Sequence, residues 1–328
     1  MIQHTLEKAE NTLVITHVDP DGDAIGSLTA VGLAMQQIKQ KVTLACDDNV
    51  PERFSYLPMA VKVRKSGDAT IRYDLIIAVD CGDEFRMGRA FADLPGPKPF
   101  IINIDHHITN TQFGDINLVD AKASSTTEIL YSLFTELQIA ISADIALSLL
   151  TGLVTDTLGF RTTGVTANTL RIAAELVDAG ADLGFVTMHA LNSRSLPTLR
   201  LWRAGLNNMQ MDQGLLWASI TNSERKAANF RSNSSVGLVN LLADVDEASM
   251  GAVLMEMDDN TVKVGLRCRP PFDVAEVAMG LGGGGHPLAA GCTLVGPLEK
   301  AEAVIVRSCQ EAILRQSQPL AKVEIRSS

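Results

Sequence analysis

The sequence predicts an α/β fold in two domains, the first a parallel sheet flanked by helices and the second a smaller α/β domain. Three observations carry this. Through the first half, short Ile- and Val-rich runs alternate with segments that are apolar at helical spacing, the pattern of βαβ units. A polar, Arg-bearing stretch, NSRSLPTLRLWRAG, interrupts that pattern, and a hairpin pattern follows it. With 328 residues, 46% hydrophobic and 20% charged, the chain can build a substantial core on each side of the break. The expected boundaries are 1–185 for the first domain, 186–210 for a partly helical linker and 211–328 for the second.

Each element has its reason. TLVITH, KVTLAC, DLIIAVD and FIINIDHH are apolar runs ending in polar residues, as strands buried on both faces do. Between the first two, DAIGSLTAVGLAMQQIKQ is apolar at helical spacing, which makes a βαβ unit and implies parallel pairing. From Ala123 onward STTEILYSLFTEL, SADIALSLLTGLVTDT and TANTLRIAAELVDAG read as helices, with Ser142 and Thr166 as N-caps. In the second half LLWASI, GAVLMEMD and TVKVGLRCR read as strands, the last two joined by an Asp-Asn turn. DVAEVAMGL, a glycine run, AAGCTLVG and the amphipathic helix EKAEAVIVRSCQEAILRQ complete the chain.

Composition excludes several classes. The five cysteines (Cys46, Cys81, Cys268, Cys292, Cys309) are scattered and form no CxxC, so a disulfide framework or zinc ribbon is not expected; they read as buried small apolar residues. MIQHTLEKAE lacks a signal-peptide pattern, and IAISADIALSLLTGLV is too short to span a bilayer. A soluble, cytoplasmic protein without a membrane partner is expected. Residues 1–185 hold 14 Lys and Arg against 24 Asp and Glu, whereas 186–328 hold 14 of each. Duplex DNA is not an expected partner, because it requires a basic face.

The acidity gathers at strand ends, where open α/β sheets place their sites. After TLVI come His17, Asp21 and Asp23; DLIIAVD ends in Asp80; FIINI leads to Asp105, His106 and His107; and Asp156 lies in GLVTDTLGF. Singly, each has an ordinary reading as a turn residue, helix cap or core imidazole. Together, carboxylates brought to one sheet edge would repel unless cations lay among them. Oxygen and imidazole ligands without thiolate suit Mn²⁺ or Mg²⁺.

HVDPDGDAIGS, VDCGD, NIDHHITN, TDTLGF and GGGGHPLAAG resemble, in order, the motifs of the DHH phosphoesterases and of the DHHA1 domain that follows in one branch. The branch it resembles most acts on short oligoribonucleotides and 3′-phosphoadenosine 5′-phosphate. The resemblance implies a DHH catalytic domain, a DHHA1 substrate-binding domain and an active site in the cleft between them. It implies two divalent ions, Mn²⁺ with Mg²⁺ as the alternative. His17, Asp21 and Asp80 would hold one; Asp23, Asp80, His106 and Asp156 would hold the other, with Asp80 bridging. Asp105 would orient a histidine through its ring nitrogen, and His107 would face the substrate as electrostatic stabiliser or proton donor. Asp19 has no place in that scheme and reads as a turn residue.

Recognition falls to the second domain. Gly280 to Gly285 satisfy G-x-G-x-x-G formally, but too little chain follows for a dinucleotide fold. Gly283, Gly284, Gly285 and His286 read instead as backbone and imidazole approaching a phosphate or ribose. Arg267 and Arg269 share a strand face at a spacing of two; the resemblance gives the Arg267 position a substrate phosphate, and Arg269 is equally a surface charge. Ser124, Ser125, Thr126 and Glu128 stand at a helix start whose donors could support the site.

The expected partner is a short single-stranded RNA or a nucleotide, with a homodimer left open. A cyclic-dinucleotide or pApA phosphodiesterase, a single-strand exonuclease and a non-catalytic nucleotide-binding regulator remain as alternatives. The absence of a basic track argues against the exonuclease, and the intact ligand set argues against the regulator.

Overall fold

A computed structural model describes residues 1–68, 70–192, 194–230, 235 and 237–317. They form two compact units, Met1–Ser193 and Arg194–Ser328.

The first unit contains α1 (Ile2–Lys8), β1 (Asn11–Ile15), α2 (Gly22–Gln37), β2 (Lys41–Ala45), β3 (Leu75–Val79), α3 (Arg89–Ala92), β4 (Phe100–Asp105), β5 (Ile116–Val119), α4 (Thr126–Glu136), α5 (Ala143–Asp156), α6 (Ala167–Asp178) and α7 (Leu183–Val186). All five strands are parallel, in the order β2-β1-β3-β4-β5. The order changes direction between β1 and β3, and such a switch opens a crevice outside the carboxyl ends of those strands. One sheet face buries Val14, Ile77 and Ile104 with residues of α2, α4 and α5. The other buries Leu13, Ile15, Ile76 and Ala78 with Met87 and Phe91. Neighbouring residues of a strand thus serve opposite cores, which is why these runs have no polar alternation.

The second unit contains α8 (Leu196–Asn207), β6 (Met209–Asp212), β7 (Leu215–Ile220), α9 (Asn222–Ala227), α10 (Leu238–Ala243), β8 (Met250–Glu256), β9 (Thr261–Cys268), α11 (Ala275–Gly280), β10 (Gly284–His286), β11 (Ala289–Val295) and α12 (Leu298–Gln316). Its sheet runs β10-β11-β9-β8-β7-β6, antiparallel except for β7 with β8. Leu215, Trp217 and Leu254 pack with α11 and α12, while Leu216, Ala218 and Val253 pack on the opposite face. β8 and β9 form the expected hairpin, with Asn260 in the left-handed region at φ +58°.

Three features differ from the sequence reading. The stretch 186–210 carries α8, whose Leu201 belongs to the core of the second unit, so this helix packs as part of a domain. The glycine run is partly a strand: Gly284–His286 pairs with β11. A Cβ at Gly285, which has φ +142°, would meet the Ala289 carbonyl at 2.5 Å, and one at Gly283 would collide with the Gly291 carbonyl. The close approach these two glycines permit is therefore to the next strand. At Gly284 a Cβ would meet nothing within 4 Å. Finally, β5 and β6 carry no strand signal in the sequence, because INLV is a half-exposed edge strand and MQMD is exposed throughout.

The cysteines are buried and free, as their scatter implied. Among the described residues, no helix is long and apolar enough to cross a membrane.

Candidate metal centre

The loops after β1, β3 and β4 leave the sheet at the switch between β1 and β3, and each delivers charged side chains there. His17 follows β1 and is 4% exposed; Asp80 follows β3 and is 2% exposed. Their side chains meet, with His17 Nε2 3.5 Å from Asp80 Oδ2. Asp80 has φ +59°, a backbone state that L-residues rarely adopt, and its N–H donates to the Ile104 carbonyl at 3.0 Å. The kink directs its carboxylate across the crevice. Oδ2 faces His17 while Oδ1 lies 3.8 Å from His106 Nε2 and 3.7 Å from His107 Nδ1, so one carboxylate addresses three imidazoles, His17 with one oxygen and the His106–His107 pair with the other.

Asp21 and Asp23 come from the start of α2. Asp21 is its N-cap, Oδ1 accepting from the N–H groups of Asp23 and Ala24 at 3.0 Å each, and the same oxygen lies 4.0 Å from His17 Nε2. Turn chemistry and ligand geometry thus coexist in one side chain. Asp23 is 1% exposed and faces the N-terminus of α4. Its Oδ2 accepts from Thr126 N–H at 2.6 Å, and its Oδ1 accepts from Thr127 N–H at 3.1 Å and Thr127 Oγ1 at 2.8 Å. Thr126 Oγ1 donates to Asp80 Oδ1 at 2.9 Å. The ASSTTEIL stretch does meet the cluster, though through Thr126 and Thr127; Ser125 caps α4 and Glu128 accepts from Ser124 N–H.

Asp156 ends α5, and its Oδ2 lies 3.3 Å from His106 Nε2. The meeting of α5 with α2 depends on glycine. A Cβ at Gly152 would lie 2.5 Å from Asp23 Oδ1, and one at Gly26 would lie 2.6 Å from the Ser148 carbonyl. The missing methyl at 152 is the space in which the Asp23 carboxylate sits.

His106 Nδ1 is 3.4 Å from the Ala123 carbonyl, which leaves Nε2 toward Asp80 and Asp156. His107 is turned the other way: Nδ1 donates to Asp105 Oδ1 at 2.7 Å. Asp105 is fully buried, and its Oδ2 accepts from Asn110 Nδ2 at 2.6 Å. The ring of His107 is thereby fixed, with Nε2 directed away from Asp105.

Three overlapping sets could each hold an ion: His17–Asp21–Asp80, Asp23–His106–Asp156 and Asp80–His106–His107. Their electrostatics show a demand for positive charge. Burial, with Asp80 beside it, pushes the Asp23 carboxyl up to about 7. Burial and the charges of Asp23, Asp21 and Asp80 raise Asp156 well above its ordinary value. Burial opposes the charged form of His17, yet Asp80 and Asp21 outweigh it and raise the ring. The three sets offer only carboxylate and imidazole donors, with no cysteine among them, which fits a divalent cation.

The remaining predicted residues lie in the second unit. Arg267 stands on the half-exposed face of β9, opposite Ala289 of β11, which in turn is opposite His286 of β10. On its other side Arg267 is opposite Gly251. Arg267 and His286 therefore share one row and one face, with small residues flanking the guanidinium. Burial lowers the pKa of Arg267, and among the described residues no carboxylate pairs with it. Arg269 instead donates to the Val245 carbonyl at 2.7 Å. Asp19 has φ +52°, and its N–H donates to Asp48, as a turn residue would.

Sequence reasoning missed Thr127, Gly152, Asn110 and Arg86. Asn110 lies within the quoted NIDHHITN, so proximity to the histidines was its signal. The others are brought in by packing between elements.

A parallel sheet with clustered aspartates and histidines at its switch point, followed by a mixed sheet bearing the GGGGHP segment, defines a two-part phosphoesterase, and the chain belongs to the DHH family. Residues 11–153 match the DHH family, N-terminal domain, and residues 218–311 match the DHHA1 domain. Over 318 residues it is 32% identical to the bifunctional oligoribonuclease and PAP phosphatase NrnA of Thermus thermophilus, covering 96% of this chain and 94% of that one. It is 28% identical to a probable bifunctional oligoribonuclease and PAP phosphatase NrnA of Streptococcus mutans, covering 87% and 90%. The crystal structure of an exopolyphosphatase-related protein from Bacteroides fragilis shares the fold with a TM-score of 0.89 at 24% identity, over 97% and 96% of the two chains.

Proposed function

We propose that this phosphoesterase hydrolyses short oligoribonucleotides to mononucleotides and 3′-phosphoadenosine 5′-phosphate to AMP, with two Mn²⁺ ions. The observation that carries the reading is Asp80, one oxygen toward His17 and the other toward His106. It lets a single carboxylate join two ligand sets: His17, Asp21 and Asp80 for one ion, Asp23, Asp80, His106 and Asp156 for the other. The names borne by relatives along nearly the whole chain support the substrate class. When bound, such ions neutralise phosphoryl oxygens and acidify the attacking water.

The chain's own residues do the rest. Thr126 and Thr127 hold Asp23 in place through the start of α4. Asp105 fixes the His107 ring so that Nε2 can protonate the departing oxygen. Arg267, with His286 in the same row, takes a phosphate of the nucleotide, since a guanidinium without a carboxylate partner suits that group. Gly284 leaves the neighbouring strand edge open. Free, buried cysteines suit a reducing cytoplasm.

The test is one assay series with Mn²⁺ that compares 3′-phosphoadenosine 5′-phosphate, a ribodinucleotide and pyrophosphate. Turnover of the first two and not the third is expected. Preference for pyrophosphate would overturn the reading.

A further inference from the structure

The cluster sets an arginine against a metal-ligand candidate where no motif placed one. Arg86 lies in the short turn Glu84–Met87 between β3 and α3. Its backbone is pinned on both sides: its N–H donates to Asp83 Oδ1 at 3.1 Å, and its carbonyl accepts from Val18 N–H at 2.8 Å. The turn is thus tied to the loop that carries His17. The side chain is exposed and makes no ion pair with a carboxylate among the described residues; Glu84 pairs with Lys98 instead. What it reaches is His17 itself, with Nη2 2.9 Å from Nδ1.

That nitrogen has two claimants. Nδ1 also lies 2.7 Å from the Val18 carbonyl, which can only accept. The ring can donate from Nδ1 to Val18 or accept there from Arg86, and it cannot do both. If Nε2 gives its lone pair to a cation, the neutral ring carries its proton on Nδ1, and Val18 holds it. The guanidinium is then left facing an N–H, its donors turned over to solvent, at the rim of the cluster.

Charge gives it a destination. Asp21, Asp23, Asp80 and Asp156 carry four negative charges, so two divalent ions would leave the cluster close to neutral, and an arriving phosphate would bring net negative charge that a guanidinium can offset. We propose that Arg86 is a substrate contact: with His17 engaged as a ligand, its guanidinium turns from Nδ1 to the oxygens of the phosphoryl group held at the cluster. This rests on the function proposed above. It assigns to the first unit a phosphate contact of its own, separate from Arg267.

Calorimetry with Mn²⁺ and then inorganic phosphate, on the full chain and on Arg86→Ala and Arg86→Lys, tests this. Arg86→Ala should take up Mn²⁺ at least as tightly as the parent, because a competitor for His17 is gone, and Arg86→Lys about as tightly as the parent. Phosphate affinity of the loaded Arg86→Ala protein should fall about tenfold or more, the scale of a hydrogen bond to a charged group. KM for 3′-phosphoadenosine 5′-phosphate should rise in parallel while kcat changes less. Arg86→Lys should recover part of the affinity, as a point charge without the bidentate fork. Unchanged phosphate affinity in Arg86→Ala, or loss of Mn²⁺ from it, would overturn the assignment of Arg86 alone. A parent protein that binds no Mn²⁺ would overturn the reading of the whole cluster.

Discussion

Asp80 concentrates the chemistry of the site in one side chain: a left-handed backbone, near-complete burial and two oxygens serving different neighbours. Asp80→Asn keeps the shape and removes the charge, so both ligand sets weaken together. Loss of both ions and of turnover is expected, with the fold retained; metal analysis and circular dichroism on the same sample check it. An active variant with two bound ions would contradict the bridging role. His107 should behave differently, since its Nδ1 is committed to Asp105 and its remaining nitrogen faces away. His107→Ala should keep its metal and lose about 10²- to 10⁴-fold in kcat, the range for a positioned proton donor. Metal loss in that variant would make His107 a ligand, through the Asp80–His106–His107 grouping.

At the level of elements, the site depends on how closely α2 and α5 approach. Gly152→Ala would place a methyl against Asp23 Oδ1 and the Thr127 side chain. The expected cost is about 1–3 kcal/mol, as for an overpacked interior, together with weaker Mn²⁺ binding as Asp23 is displaced. Urea unfolding and metal titration read the two effects separately; a variant unchanged in both would mean that the helices can part without consequence. This helix pair also marks where the sequence stops being legible. His17, Asp21, Asp23, Asp80, Asp105 and His106 could be read because they follow apolar runs, and a parallel sheet must bring such ends to one edge. Ser142 and Thr166 could be read as caps for a similarly local reason. Gly152 and Arg86 were not legible, since nothing within a few residues of either announces its partner, while Thr127 lies in a helix start that was read and only its contact with Asp23 was not. The glycine run shows the same limit: its neighbour is Gly291 and its surroundings, and the pairing makes a strand of what reads as a loop.

For the molecule as a whole, charge is divided between the units. Residues 1–193 hold 14 basic and 24 acidic residues, whereas 194–328 hold 14 of each. An acidic first unit tolerates phosphodiesters only where cations and the proposed Arg86 contact offset its field, and that covers few phosphates. RNAs of about two to five nucleotides should be cleaved fastest, with rates falling steeply beyond that length. Equal concentrations of a dimer, a pentamer and a long single strand, at fixed salt with Mn²⁺, make the comparison; faster turnover of the long strand would favour an exonuclease. The shared ligand cluster also bears on how firmly the protein holds together. Its groups come from the ends of β1, β3 and β4 and from α2 and α5, and none comes from the second unit among the described residues. A cation there would tie four segments far apart in sequence, at 17–23, 80, 106–107 and 156, so its binding energy is also folding energy for the first unit, about 2.7 kcal/mol at a hundred times Kd. Hydrogen exchange with Mn²⁺ and after chelation should show protection gained in β1, β3 and β4 and little change in β7 to β9; equal protection in both states would contradict this. A cell starved of the ion would then hold a molecule whose first unit is loosened, and the lifetime of the protein, as well as its turnover, would follow the metal supply.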